Sequence, residues 1–186
     1  MLRKNPSGYF PQVAESAFID PTAIICGHVI IEENVFIGPY AVIRADEVDE
    51  NGEMAPITIK HHTNIQDGVV IHSLAGAEVT IGAKTSIAHR AIVHGPCIIE
   101  DNVFIGFNSV VFRTHIASGC VIRHNSVIDN IDLTFAVHVP PMTNLGPNFD
   151  FNTLPELTSQ YQRFSSEVVA ANQSLVKGYK KLAAQG

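Results

Sequence analysis

An aliphatic residue recurs every six positions through most of this chain. The series runs Ile19, Ile25, Ile31, Ile37 and Ile43, returns at Ile59, Ile65 and Ile71, and resumes at Ile81, Ile87, Val93, Ile99, Ile105 and Val111. A five-residue step then leads to Ile116, followed by Ile122 and Ile128. Two positions before these residues stand small or β-branched ones, among them Ala23, Val35, Thr63, Thr85 and Ser109, with Cys97 and Cys120 in the same slot. A period of six is neither the ~3.6 of an α-helix nor the ~2 of an alternating strand. It describes two or three extended residues, then a turn. Three such steps close a triangular coil of roughly 18 residues, with the aliphatic side chains inside and the small residues in the crowded space beside them. Stacked coils make a parallel β-helix in which each unit buries its apolar side against the next. About seventeen repeats make roughly six coils. Gly or an acid often follows the aliphatic residue, as in Ile37-Gly38, Ile81-Gly82 and Ile31-Glu32, which suits a tight turn.

This pattern resembles the hexapeptide-repeat proteins, and the resemblance implies left-handed coils. The expected fold class is therefore all-β, a left-handed parallel β-helix with a C-terminal α-helix. One domain spans residues 1–186, with the β-helix over 13–140 and the helix over 159–183. Two interruptions mark loops: the step from Ile43 to Ile59, around Val48–Pro56, and the step from Ile71 to Ile81, around Leu74–Ala77. After Ile128 the pattern dissolves into Pro140-Pro141 and Gly146-Pro147. Tyr161, Phe164, Val168, Ala171, Leu175, Tyr179 and Leu182 then fall at helical spacing. Ser165 can cap a helix running to about Leu182, which packs on the side or the end of the solenoid.

Composition narrows the function. The net charge is −6, from 18 Asp and Glu against 12 Lys and Arg, which argues against nucleic acid or an anionic membrane as partner. No apolar run approaches the ~18 residues of a membrane span, and no signal peptide is visible at the start. The three Cys form no CxxC pair, so neither a disulfide framework nor a Cys-based zinc finger is expected, and the cytoplasm is the expected location. The nine His stand out.

The register sorts them. Taking Ile59, Ile65 and Ile71 as faces one, two and three, Ile81, Ile87 and Val93 repeat those faces one coil up. His72 and His94 then share one slot on face three. Adjacent coils lie ~4.8 Å apart, so two imidazoles there can converge on one metal. His89 follows Ile87 on face two, around a corner. In a threefold assembly, face two of one chain can meet face three of the next, making a shared three-His site. Arg44 lies below His72, and Asp67 shares the column of His89, so the same contact would pair Arg44 with Asp67. Gln66 lies beside Asp67. His28, His115, His124 and His138 read as surface residues, and His61 and His62 as surface or structural ones. Cys97 and Cys120 read as core, and Cys26 lies below Arg44.

The runs Arg44-Ala-Asp46-Glu47 and Asn64-Ile-Gln66-Asp67, with His72, His89 and His94, resemble the γ-class carbonic anhydrases. That resemblance implies a homotrimer and an enzyme that interconverts CO2 and bicarbonate. His72, His89 and His94 would hold Zn2+, with Fe2+ or Co2+ as alternatives. Arg44 and Asp67 would hold subunits together. Gln66 and Asn64 would orient the metal-bound water, Asp46 would support the interface around the site, and Glu47 would be the carboxylate nearest the substrate. Three neutral imidazoles leave one position open for water, whose pKa on zinc in carbonic anhydrases is about 7. The chain departs from the family's longer members: 16 residues separate His72 from His89, and Glu78 is the only acid between them. Glu78 does not map onto the proton-shuttling Glu of those members, so three alternatives stay open: slower turnover, a shuttle through Glu47, or no activity. Tyr161 and Tyr179 lie in the region of the family's C-terminal active-site residues. Competing readings are a hexapeptide-repeat acyltransferase or thioesterase-like enzyme, and a non-catalytic structural trimer that retains the metal site.

Overall fold

The computed structural model describes residues 1–185. The chain winds into a left-handed parallel β-helix of about seven turns with one C-terminal helix. Among the described residues every strand pair is parallel, and the aliphatic columns stay in register apart from one shift between His94 and Cys97. On face three, Ile25, Ile43, Ile71, Val93, Val111 and Ile128 stack directly above one another. Face two stacks Ile19, Ile37, Ile65, Ile87, Ile105 and Ile122 in the same way. Face one carries Ile31, Ile59, Ile81, Ile99 and Ile116. From Ile25 onward these side chains are almost completely buried. Each removes a large apolar side chain from water, a gain of about 1.5–3 kcal/mol apiece. Faces three and one merge where the strands Ile92–Ile99 and Val110–Ile116 run around a corner.

The solenoid outruns the register seen in the sequence. Leu133, Val139 and Leu145 are fully buried and extend the interior columns beyond Ile128. The Pro- and Gly-rich segments between them disguise the spacing, because they occupy the corners. At the other end, Leu2–Arg3 and Gln12–Val13 pair with the first full coil. These additions raise the coil number from roughly six to about seven.

The corners also differ from expectation. The left-handed residue lies three positions after the aliphatic one: Asn34, Tyr40, His62, Lys84, Arg90, Asn102, Asn108 and Asn125 all have φ between 54° and 61°. The glycines directly after the aliphatic residue serve another purpose. A Cβ on Gly82 would lie 2.3 Å from the Glu100 backbone, and one on Gly106 would lie 2.6 Å from the His124 nitrogen. They are small because the next coil approaches there.

Both insertions leave at the corner after face three, on successive coils, and they touch: Gly76 packs against Asp49. Asp49 closes its own loop by accepting from the Asn51 and Glu53 amides at 2.9 and 2.8 Å. Cys97 and Cys120 face the core, and burial pushes the Cys120 thiol up to about 11, so both serve as packing groups.

The C-terminal helix spans Ser159–Ala183. Its N-cap is Thr158, and Ser165 lies buried inside it instead of capping it. The reason is the apolar series: Leu157, Tyr161, Phe164 and Val168 pack on Ala88, Phe104 and Val121, which starts the helix before Ser165. It runs down the outside of face two, from His138 at one end to Phe18 and Phe36 at the other. Among the described residues no helix is long and apolar enough to cross a membrane.

His138 is not a surface residue. It is 5% exposed, stacks on Tyr161 at 3.8 Å, and neither ring nitrogen has a partner among the described residues. Burial, reinforced by the Arg123 guanidinium, holds its pKa below the usual His value. The unfolded chain takes up a proton at this ring below about pH 6.5, whereas the folded chain resists it. Stability should therefore fall as pH drops through that range, until the folded ring is protonated too. Thermal melts between pH 7.5 and 5 should show a smaller loss for His138→Leu than for the unaltered protein.

Candidate metal site

Face three presents one half of the candidate site. Arg44, His72 and His94 occupy successive rungs of one column. Arg44 is paired with Asp46, its neighbour two residues on. Asp46 Oδ1 also lies 3.1 Å from His72 Nε2, and Glu47 Oε1 lies 3.6 Å from the same nitrogen. His94 Nδ1 lies 3.2 Å from the Gly95 carbonyl oxygen.

These contacts determine the tautomers. A carboxylate and a carbonyl only accept, so His72 Nε2–H and His94 Nδ1–H must donate. In the neutral rings this leaves His72 Nδ1 and His94 Nε2 as lone pairs, and those two atoms face each other at 3.2 Å. Two acceptors cannot satisfy one another; a shared proton or a shared cation can. A tetrahedral ion with bonds of ~2.0–2.1 Å sets neighbouring ligand atoms about 3.3 Å apart. Metal-bound imidazoles also characteristically donate their other N–H to a carboxylate or carbonyl. The residues present therefore fit a divalent ion that prefers nitrogen.

Face two presents the other half. Gln66 Nε2 donates to Asn64 Oδ1 at 2.8 Å, and Asn64 Nδ2 donates to Ser86 Oγ at 2.7 Å. All three residues are buried. With its amide nitrogen engaged, Gln66 keeps Oε1 as a free acceptor. Asp67 Oδ2 lies 3.5 Å from His89 Nδ1, and the His89 side chain is 46% exposed. One rung above each half is an aromatic ring: Phe112 lies 5.5 Å from His94, and Phe107 lies 5.2 Å from His89.

One chain does not bring the three His together. Among the described residues, no set of three His, Cys, Asp or Glu could hold a metal ion. His72 and His94 form one half with Asp46 and Glu47, while His89 stands around the corner with Gln66 and Asp67. Arg44 and Asp67 do not meet within the chain either. Cys26 sits below Arg44, is buried, and directs its thiol toward the Lys4 carbonyl. Glu78 lines a separate depression with Arg113 and His115.

For the second half, the sequence pointed to the region of Tyr179 through the family resemblance but missed Asn172. Asn172, Leu175 and Tyr179 of the helix border the same depression as Gln66, Asp67 and His89. Helical periodicity marks Leu175 and Tyr179 as packing residues, but nothing local ties Asn172 to face two. Tyr161 lies elsewhere, stacked on His138.

Residues 10–45 and 78–113 match the family described as "Bacterial transferase hexapeptide (six repeats)". A carbonic anhydrase of Methanosarcina thermophila is 32% identical over 198 residues, covering 95% of this chain and 78% of that protein. The carboxysome assembly protein CcmM of a Nostoc species is 36% identical, covering 90% of this chain but only 31% of its own length. A solved hexapeptide transferase family protein from Anaplasma phagocytophilum superposes with a TM-score of 0.77 at 27% identity, over 96% of this chain and 98% of that one.

The amide chain beneath Gln66 makes a direct prediction. Ser86→Ala leaves the Asn64 amide without its partner in a buried place. Chemical denaturation should show a loss of about 1–3 kcal/mol, more than an exposed Ser→Ala change such as Ser118→Ala.

Proposed function

The chain belongs to the hexapeptide-repeat family of the γ-class carbonic anhydrases, and from that premise we propose that it hydrates CO2 at metal sites shared between the subunits of a homotrimer. The observation that carries this reading is the facing pair of lone-pair nitrogens on His72 and His94, each ring tied down by its other nitrogen. A second copy supplies His89 as the third ligand. A stripe of partly exposed aliphatic side chains, Ile24, Val42, Val70, Ile92, Val110 and Val127, runs the length of face three beside the His column and supports this packing. Closed threefold symmetry gives three equal sites.

A divalent ion bound there, with Zn2+ the first choice, would lower the pKa of water enough to make hydroxide available for addition to CO2 near neutral pH. The protein's own groups do the rest. Asp46 accepts from His72 and holds its ring in the tautomer that offers Nδ1. Gln66 Oε1, positioned by Asn64, accepts an O–H from the attacking water and so directs the oxygen lone pair toward the carbon. Glu47, beside His72 and exposed, takes the proton that each cycle releases and passes it to solvent.

Metal analysis and CO2-hydration assays on protein purified without air or chelator test this. One ion per subunit and activity lost in His89→Ala are expected. A metal-free, inactive trimer would contradict the reading, and turnover of an acyl-CoA by metal-free protein would favour acyl transfer instead. Asp46→Asn should weaken metal binding about 10–100-fold in competition with a chromophoric chelator, because His72 loses its carboxylate partner.

A further inference from the structure

Along the other flank of the C-terminal helix, away from the depression shared by Asn172 and Gln66, lies a cavity of ≈ 390 Å³. The solenoid contributes Lys84, Asn102 and Val121; the helix contributes Gln162, Ser165 and Val169. Lys84 and Asn102 hold the same left-handed turn position on successive coils, with φ of 54° and 58°. They therefore stand one above the other along the corner that faces the helix.

Ser165 is the informative residue. It is 6% exposed as a residue, and it lines the cavity. Ser166 and Ser174 of the same helix return their hydroxyls to the carbonyl four residues back, each at 3.1 Å. Ser165 does not, although that partner is available to any helical Ser. Its hydroxyl borders the cavity instead. A hydroxyl at the edge of a cavity is available to any group there that can bond it.

The surroundings define what could. Lys84 is the cavity's only charged lining residue, and its ammonium has no carboxylate partner among the described residues. The Asn102 and Gln162 amides add neutral donors, while Val121 and Val169 supply apolar walls. One uncompensated positive charge suits a monoanion better than a phosphate dianion. The volume lies at the small end of the ~300–1,000 Å³ typical of ligand pockets. We propose that this cavity binds a small monocarboxylate with a short apolar body, its carboxylate on Lys84 and Ser165 and its body against Val121 and Val169. This site is separate from the metal site and does not depend on the carbonic anhydrase reading.

The test is an amide NMR titration of the full-length protein with benzoate and with butyrate, in the presence of chelator so that no carboxylate can bind a metal ion. Saturable shifts centred on Lys84, Gly119 and Ser165 are expected, with a rise in Tm. Lys84→Met and Ser165→Ala should each weaken binding at least about tenfold, and Lys84→Arg should retain it. Inorganic phosphate and bicarbonate should give no saturable shift at these amides. The proposal is overturned if neither carboxylate gives a saturable shift there, if both substitutions leave binding unchanged, or if the shifts centre on His72 and His94.

Discussion

The whole molecule depends on one constraint, the parallel in-register ladder between successive coils. Each coil places its aliphatic residues directly over those of the coil below. Every outward position is therefore repeated ~4.8 Å higher. That repetition closes the core, and it also builds the site. Arg44, His72 and His94 are neighbours in space because each follows a face-three aliphatic residue, although 28 and 22 positions of sequence separate them. A slip of one rung would break the pair and misalign the core at once, so stability and ligand geometry rest on the same register.

On that scaffold, simple hydrogen-bond accounting sets the electrostatics of the site. Acceptor-only partners fix the protons of His72 and His94 and leave the lone pairs of His72 Nδ1 and His94 Nε2 facing each other. Asn64, itself held by Ser86, does the same for Gln66 by engaging its amide nitrogen and leaving its oxygen free. The two halves face different directions, and each is incomplete alone. His72 and His94 lie on one face; His89 and Gln66 lie on another. In the proposed homotrimer, a closed ring of identical chains would bring these halves together.

Much of this was legible in the sequence, because a six-residue period maps spacing onto three dimensions almost without tertiary information. The pairings of His72 with His94 and of Arg44 with His72 follow from counting alone. What escaped was whatever breaks or leaves the period. Leu133, Val139 and Leu145 continue the core, but prolines and glycines at the corners hide them. His138 looks like one more exposed turn residue until the helix is laid over it. Asn172 could not be placed and Ser165 was misplaced as a cap, since a helix reports its own periodicity and not the face or height at which it docks. The glycines after the aliphatic residues were visible but misread. Their cause is the approach of the next coil, which no local pattern records.

The claim that each site is shared between chains can be tested by co-assembling His72→Ala and His89→Ala subunits and measuring the metal retained after gel filtration. A shared site predicts recovery at about one interface in four in a random equimolar mixture, because only one ordered pairing joins an intact His72–His94 pair to an intact His89. Hydration activity should return in proportion. A mixture that holds no more metal than either variant alone would contradict the account, since sites built within single chains cannot complement one another.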